Sequence, residues 1–395
     1  MCITAFDRTW AEINLDNIAF NYCSFKKLTG KRVMCVLKAD AYGHGAVALA
    51  KRLEYEGCDA FGVATLDEGL ELRRAGIGAF ILLFNHVSKE RINEAANANL
   101  TMTVYSVEMA ELISKALEGG EKANQKIHIK IDTGMTRVGL NTDEAVDSVK
   151  KISKLPKIET EGIYTHFSSA DETDTAYTKM QIEKFQNVCE QLEKNGLKMK
   201  IKHAANSAAA IAYPDARFDM VRVGISLYGC YPSSEVSEFK NTVVLKDFDL
   251  KKAMQLKTRI YRINEVECGV AVSYGRKFIT KRKTRLATIP IGYADGLSRL
   301  MTGKLIVLIN GQEATVVGRI CMDQCMVDIT DITGKVSVFD EVVIFGQQNN
   351  KTLPVESVAD TMGTINYEIL CMVSRRVPRV YFENGKTTGV KNYLT

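Results

Sequence analysis

Lys38 closes the unbroken apolar run Val33-Met34-Cys35-Val36-Leu37 and is followed at once by Ala39-Asp40-Ala41-Tyr42-Gly43-His44-Gly45. Five apolar residues bounded by a loop read as a fully buried strand. A lysine at the tip of such a strand sits in a low-dielectric mouth. Burial there disfavours the ammonium, lowers its pKa and leaves a usable amine nucleophile, which is what a Schiff-base lysine needs. A lysine simply leaving a strand for solvent is the commoner case, so the reading of Lys38 depends on what else reaches the same place.

Several other polar residues do. Lys130, in Lys130-Ile131-Asp132-Thr133-Gly134-Met135-Thr136-Arg137, ends a strand read at 127–131. His166, in Tyr164-Thr165-His166-Phe167, ends one at 161–166. Asn206-Ser207 follows a strand at 199–203 and opens a helix start at Ala208-Ala209-Ala210. Arg222, in Val221-Arg222-Val223-Gly224, ends one at 219–223, within the mostly apolar stretch 220–227. A surface ion pair is a poor reading of an arginine so placed. If these strands share one sheet, two lysines, two arginines, a histidine and a serine converge on one rim. Ser207 alone reads as a plain N-cap. With Gly224, which lets backbone approach an anion closely, it reads as one side of a phosphate seat. A phosphate seat beside a rim lysine points to pyridoxal phosphate.

The elements that would position these groups alternate. Strands near 33–38, 60–64, 80–84, 101–105, 127–131, 161–166, 199–203 and 219–223 are separated by amphipathic stretches at 45–56, 66–75, 107–117, 143–154 and 175–194. Eight strands in about 200 residues, most followed by a helix, are the pattern of an α/β fold of the TIM type, a (β/α)8 barrel with its active groups at the C-terminal ends of the strands. A doubly wound open sheet is weakened by the lack of Gly-x-Gly-x-x-Gly after the first strand. After about residue 245 the pattern becomes β, with segments at 254–266, 284–291, 304–309, 313–320, 326–329 and 342–345. Asn310-Gly311 signals a type I′ hairpin between two of them. The expected organisation is therefore a barrel over 16–245 and a C-terminal, mostly β domain over 246–395. A strand within 1–15 could pair with that second domain.

Composition narrows the function class. The chain has 395 residues, 46% hydrophobic and 25% charged, with a net charge of +5. These are the proportions of a soluble two-domain protein. The basic residues are scattered; Lys281-Arg282-Lys283 is a short, solvated cluster, so nucleic acid is not expected as a partner. No apolar stretch is long enough to span a bilayer and no signal-peptide core opens the chain, so no membrane partner and a cytoplasmic location are expected. The ten dispersed cysteines read as free thiols. Cys321 and Cys325 lack a second pair to complete a zinc site, so no metal is expected. His86, His128 and His203 read as structural or satisfied core histidines, and His44 as a loop hydrogen bonder.

The motifs also occur together in a known family. The chain resembles bacterial alanine racemase, a fold-type III pyridoxal phosphate enzyme, over essentially its full length. The resemblance is carried by Trp10-Ala11-Glu12-Ile13-Asn14-Leu15, Lys38-Ala39-Asp40-Ala41-Tyr42-Gly43-His44-Gly45, Lys130-Ile131-Asp132-Thr133-Gly134-Met135 and Asn206-Ser207-Ala208-Ala209. It continues through Val272-Ser273-Tyr274-Gly275, Ile291-Gly292-Tyr293-Ala294-Asp295-Gly296, Gly318-Arg319-Ile320-Cys321-Met322-Asp323-Gln324 and Ile365-Asn366-Tyr367-Glu368.

The resemblance implies interconversion of L- and D-alanine, with D-alanine supplied to peptidoglycan. It implies that Lys38 carries the cofactor covalently and acts as one base, and that Tyr274 of the neighbouring subunit is the other, in a homodimer with shared sites. Tyr42, Ser207, Gly224, Ile225 and Tyr367 would hold the phosphate, with His166, Asn206 and Arg222 also at the cofactor. Arg137 would meet the substrate carboxylate and the cofactor's phenolic oxygen. Lys130 is often carbamylated in this family, its new negative charge orienting Arg137. Met322, through its backbone N–H, and Asp323 would meet the substrate. Tyr293, Arg299 and Arg319 would line the entry corridor.

These roles make chemical sense. Moving a proton off one face of Cα and onto the other is simplest with two fixed bases. A tyrosine starts near pKa ~10 and needs positive neighbours to act as one, which His166 and Arg222 are expected to supply. Arg222, set against the pyridine nitrogen, would keep that nitrogen unprotonated and suppress side reactions such as transamination. Serine or broad-specificity racemases, fold-type III decarboxylases and non-catalytic pyridoxal phosphate proteins are the alternatives. The β domain with Tyr274 and Met322-Asp323-Gln324 favours the racemase, and bulky Tyr293 and Tyr367 favour a small side chain.

Overall fold

The computed structural model describes residues 6–119, 124–238 and 248–395. Cys2 and the expected boundary at 245/246 lie outside them. The described chain forms two compact units. One consists of Asn17–Ala41 and Ala46–Lys251; the other of the residues up to Asp16, Tyr42–Gly45 and Lys252–Thr395.

The first unit is a nearly closed parallel barrel. Its strands are Arg32–Val36, Ala60–Val63, Phe80–Leu83, Thr101–Val104, Gln125–Asp132, Ile158–Tyr164, Ile201–His203 and Met220–Val223. Each of the first six pairs in parallel with the next in that order, and Met220–Val223 pairs back onto Arg32–Val36. Between the last two the ladder reduces to single bonds, Asp219 N to Lys202 O at 3.0 Å and Arg222 N to Ala205 O at 2.9 Å. Met34, Ala60, Leu82, Tyr164 and Met220 pack together from alternate positions of five strands. Strand alternation sends their chain neighbours to the opposite face.

The helices follow the amphipathic stretches closely: Ala46–Tyr55, Leu66–Arg74, Val107–Ala116, Ala145–Ile152 and Ala176–Lys194. Two starts are fixed by local chemistry. Thr65 and Glu68 form a capping box ahead of Leu66–Arg74, and Ser106 accepts from Met109 N ahead of Val107–Ala116. Leu15–Thr29 is a long helix that the sequence reading did not single out.

The second unit is built on an eleven-stranded sheet. Thr9–Asn14 lies inside it, antiparallel to Met254–Arg259 and parallel to Arg379–Glu383. The single strand expected over 254–266 is two, Met254–Arg259 and Arg262–Val266. The break has a cause: Ile260 N bonds Asp340 O while Tyr261 N bonds Thr288 O, so the chain changes partners there. Asn310 (φ +52) and Gly311 (φ +75) join Ile306–Ile309 to Gln312–Val317 with both turn residues left-handed, as a type I′ turn requires. Two short helices, Val355–Met362 and Asn366–Met372, interrupt the β pattern; the second carries Tyr367.

Candidate active site

Lys38 does not end its strand as a simple tip. The strand stops at Val36, and Lys38 opens a turn in which Ala39, Asp40, Ala41 and Tyr42 all have φ between +51 and +55. Four consecutive non-glycine residues in the left-handed region cost roughly 1–2 kcal/mol each, so the surroundings must hold them. Glu68 does much of this. One carboxylate oxygen accepts Ala39 N at 2.7 Å and the other accepts Ala64 N at 2.7 Å and Thr65 N at 3.1 Å. Ala41 N returns to Leu37 O at 2.8 Å, and Asp40 Oδ1 accepts Ala46 N at 2.8 Å. Lys38 itself is half-buried at the barrel's C-terminal rim.

Arg222 is the most engaged side chain of that rim. Its two terminal nitrogens bond Thr165 O at 2.7 Å, Ala204 O at 2.8 Å and His203 O at 3.1 Å, as well as His203 Nδ1 at 2.9 Å and His166 Nδ1 at 3.2 Å. Its Nε carries no hydrogen bond to the described residues. Burial brings the guanidinium down to about 10, still protonated at neutral pH. Lys130 is buried 5.0 Å from the Tyr164 ring centroid. Burial, then Arg222 and Arg137, push its amine well below its ordinary value. Arg137 is exposed. Asp132, the carboxylate that acts on Lys130 among the described residues, has an oxygen occupied by Gly134 N and Thr136 N. The rim is thus a set of cations short of anions.

His166 departs from expectation. Burial and then Arg222, Lys130, Arg137 and Lys38 hold it well below its ordinary pKa, so it is neutral and cannot supply positive charge to a tyrosine; Arg222 can. Fully buried His203 is likewise held down by desolvation and then by Arg222. The unfolded chain takes up a proton near pH ~6.5 and the folded ring does not, so the stability is present above that pH and lost below it, at about 1.4 kcal/mol per pH unit for this one ring. Denaturation midpoints are expected to drop steadily from pH 6.5 to 5, and less steeply in His203→Asn. Equal slopes in the two proteins would mean that His203 is not held neutral.

Asn206 and Ser207 divide the capping differently from expectation. Asn206, not Ser207, is the N-cap, its Oδ1 accepting Ala209 N at 3.0 Å. Ser207 Oγ accepts Gly224 N at 2.9 Å, which leaves its hydroxyl proton available and ties the seventh strand's loop to the eighth's. Gly224, at φ −102 and ψ −103, precedes the short turn Ile225–Tyr228. Ser207, Gly224 and Ile225 therefore sit together, and Lys38, Lys130, Arg137, His166 and Arg222 belong to the same unit and rim.

The remaining expected residues belong to the other unit. Tyr42 and Tyr367 have ring centroids 6.1 Å apart, and burial pushes the Tyr42 phenol up. Arg379 donates to Gly43 O at 2.8 Å and His44 Nδ1 lies 3.0 Å from Tyr42 O, so the end of the lysine turn is pinned within this unit. Gly45 is required there, since a Cβ would lie 1.9 Å from the Tyr381 hydroxyl. Tyr274 is 68% exposed and makes no hydrogen bond to the described residues. Its loop is braced by Ser273 Oγ donating to Arg319 O at 2.7 Å, and Gly275 lies against the Arg319 guanidinium. Met322 N bonds none of the described residues. The Asp323 carboxylate is engaged by Arg376 at 2.8 Å. Tyr293 and Arg299 are exposed. Glu68 was missed, although its capping-box spacing was readable.

Comparison with known proteins bears on all of this. The family model described as alanine racemase, N-terminal domain, matches residues 13–232, and that described as alanine racemase, C-terminal domain, matches residues 253–381. The alanine racemase of Clostridium novyi (strain NT) is 45% identical over 387 residues, 98% of each chain. Among solved structures, alanine racemase of Clostridium difficile 630 matches with a TM-score of 0.91 at 45% identity, over 98% of this chain and 99% of that one. The Bacillus anthracis enzyme with bound L-Ala-P matches with a TM-score of 0.91 at 37% identity, over 98% of both. Likeness of this extent, running through both units, means that the chain belongs to the alanine racemase family, enzymes that interconvert L- and D-alanine with pyridoxal phosphate.

Proposed function

We propose that this alanine racemase works with Lys38 and the partner subunit's Tyr274 as opposing bases around pyridoxal phosphate. The observation that supports it best is the cationic rim: Arg222, whose Nε bonds none of the described residues, Lys130, whose charge Arg222 and Arg137 disfavour, and Lys38, which with them disfavours a proton on His166. Such a rim suits a phosphorylated cofactor and a carboxylate substrate. Lys38 would hold the cofactor covalently. Ser207, Gly224, Ile225, Tyr42 and Tyr367 would hold its phosphate, with Asn206 keeping the Ser207 turn in place. Arg222 Nε would donate to the pyridine nitrogen. The chemistry the group supplies when bound is delocalisation of the electrons left at Cα.

This chain's residues do the rest. Lys38 Nζ moves a proton at Cα on one face, and the Tyr274 phenol oxygen moves it on the other. Arg137 and the Met322 N–H bind the substrate carboxylate, with Asp323 beside Met322. A carbamate on Lys130 would replace a disfavoured buried cation with an anion facing Arg137, which relieves the penalty described above. Tyr293, Arg299 and Arg319 line the approach. We assign the reaction to the cytoplasm, as the supply of D-alanine for peptidoglycan. No helix among the described residues is long and apolar enough to cross a membrane. Borohydride reduction of the yellow holoenzyme followed by peptide mapping is expected to label Lys38, and a label on another lysine would overturn the assignment.

A further inference from the structure

Arg222 is buried and bonds no carboxylate among the described residues, yet a row of two imidazoles leads from it to one. His203 Nδ1 lies 2.9 Å from an Arg222 terminal nitrogen. His203 Nε2 lies 2.9 Å from His128 Nδ1. His128 Nε2 lies 3.6 Å from Glu161 Oε2, and neither of those buried atoms has a hydrogen-bond partner among the described residues. The other Glu161 oxygen takes Lys126 Nζ at 2.6 Å.

Only one arrangement of protons satisfies the chain. Arg222 has no lone pair to offer, so His203 Nδ1 must accept. His203 then carries its proton on Nε2 and donates to His128 Nδ1. His128 in turn carries its proton on Nε2, facing the Glu161 carboxylate. The slot is built for this. A Cβ on Gly162 would lie 2.6 Å from His128 Cε1, so only glycine admits the ring. Tyr164 stacks on His203 at 4.7 Å and 6°, with its hydroxyl tied to Thr103 at 2.9 Å. Phe80 lies against His128. The charged groups acting on the chain are Lys126, Lys200, Arg32, Lys130 and Arg222, and Glu161 is the one carboxylate named against its imidazoles among the described residues.

We propose that Glu161, His128 and His203 are positioning residues that carry a counter-charge to Arg222 through one fixed tautomer chain and so temper the hydrogen bond Arg222 gives the cofactor ring. This rests on the reading of Arg222 as the ring nitrogen's neighbour. Removing the carboxylate or cutting the chain leaves Arg222 a stronger donor, and a more strongly polarised ring favours transamination over racemisation. Both imidazoles stay neutral at working pH, because burial holds them below their ordinary values.

The test uses the holoenzyme. Nitrogen-15 spectra of histidine-labelled protein are expected to show His128 and His203 as single Nε2–H tautomers; a proton on His203 Nδ1 overturns the proposal without reference to the cofactor. Glu161→Gln is expected to raise the transamination-to-racemisation ratio about tenfold, a one-unit shift. His203→Asn keeps an acceptor at Arg222 but cuts the chain, and is expected to do the same. The double variant is expected to match either single one, because both break one connection. Effects that multiply, or an unchanged ratio in Glu161→Gln, refute the relay. Lys126→Arg, which keeps a cation on the other carboxylate oxygen, is expected to leave the ratio unchanged, and a tenfold rise there would make the effect structural. Arg222→Glu separates the two readings: a ratio it does not change removes Arg222 from the ring nitrogen, and the tautomers then still decide the chain.

Discussion

Tyr274→Phe is expected to keep its bound cofactor and its fold while racemisation falls about 1000-fold, within the range a positioned general base contributes. The side chain is 68% exposed and its hydroxyl bonds nothing among the described residues, so removing one oxygen leaves no orphaned partner behind. The loss should therefore be in kcat rather than in the denaturation midpoint. The sharper reading is by enantiomer. With Lys38 intact, exchange of the α-proton with solvent should survive for the enantiomer whose Cα–H faces the lysine and collapse for the other. Equal loss for both would falsify the two-base assignment, whatever the size of the fall.

What the sequence made legible was whatever repeats with a period. All eight barrel strands lie close to the positions read from apolar runs, because a strand buried on both faces has little freedom to be anything else. Asn310-Gly311 turned as its dihedral preferences require. The partner change at Ile260 and Tyr261 was invisible because it depends on Asp340 and Thr288, one of them about 80 positions away. The place of Thr9–Asn14, between strands some 250 and 370 residues on, is non-local in the same way.

The site divides along the same line. Residue types and their rim positions were readable; their conformations were not. Nothing in Ala39-Asp40-Ala41-Tyr42 announces a left-handed turn, since local preference opposes it in all four residues. It exists because Glu68, Leu37, Asp40 and Ala46 hold one end and Arg379 and His44 the other. His128 and His203 read as structural or satisfied core histidines; both His203 nitrogens are engaged, whereas His128 Nε2 stands 3.6 Å from Glu161 without a hydrogen bond among the described residues. Their function appears only when the chain Arg222–His203–His128–Glu161 is assembled from four strands of the barrel. The charge on His166 was misjudged because the number of cations around it, four, is a property of the folded rim.

Subunit mixing is the other large effect. Lys38 belongs to the barrel unit and Tyr274 to the β unit, where its side chain is exposed and makes no hydrogen bond among the described residues. If each site takes its lysine from one subunit and its tyrosine from the other, a two-fold dimer holds two composite sites. Lys38→Ala and Tyr274→Ala homodimers are each expected to be inactive, by different losses. In a heterodimer one site carries both lesions and the other carries neither. With equal amounts and random exchange, about half the dimers are mixed and half their sites are intact, so roughly a quarter of wild-type activity should return. Recovery should follow the kinetics of subunit exchange, measured independently by a mass difference between the chains. Full exchange without recovered activity would put both bases in one chain. Recovery well above a quarter would instead mean that mixed dimers form in preference to the parents, which the same mass measurement reads directly.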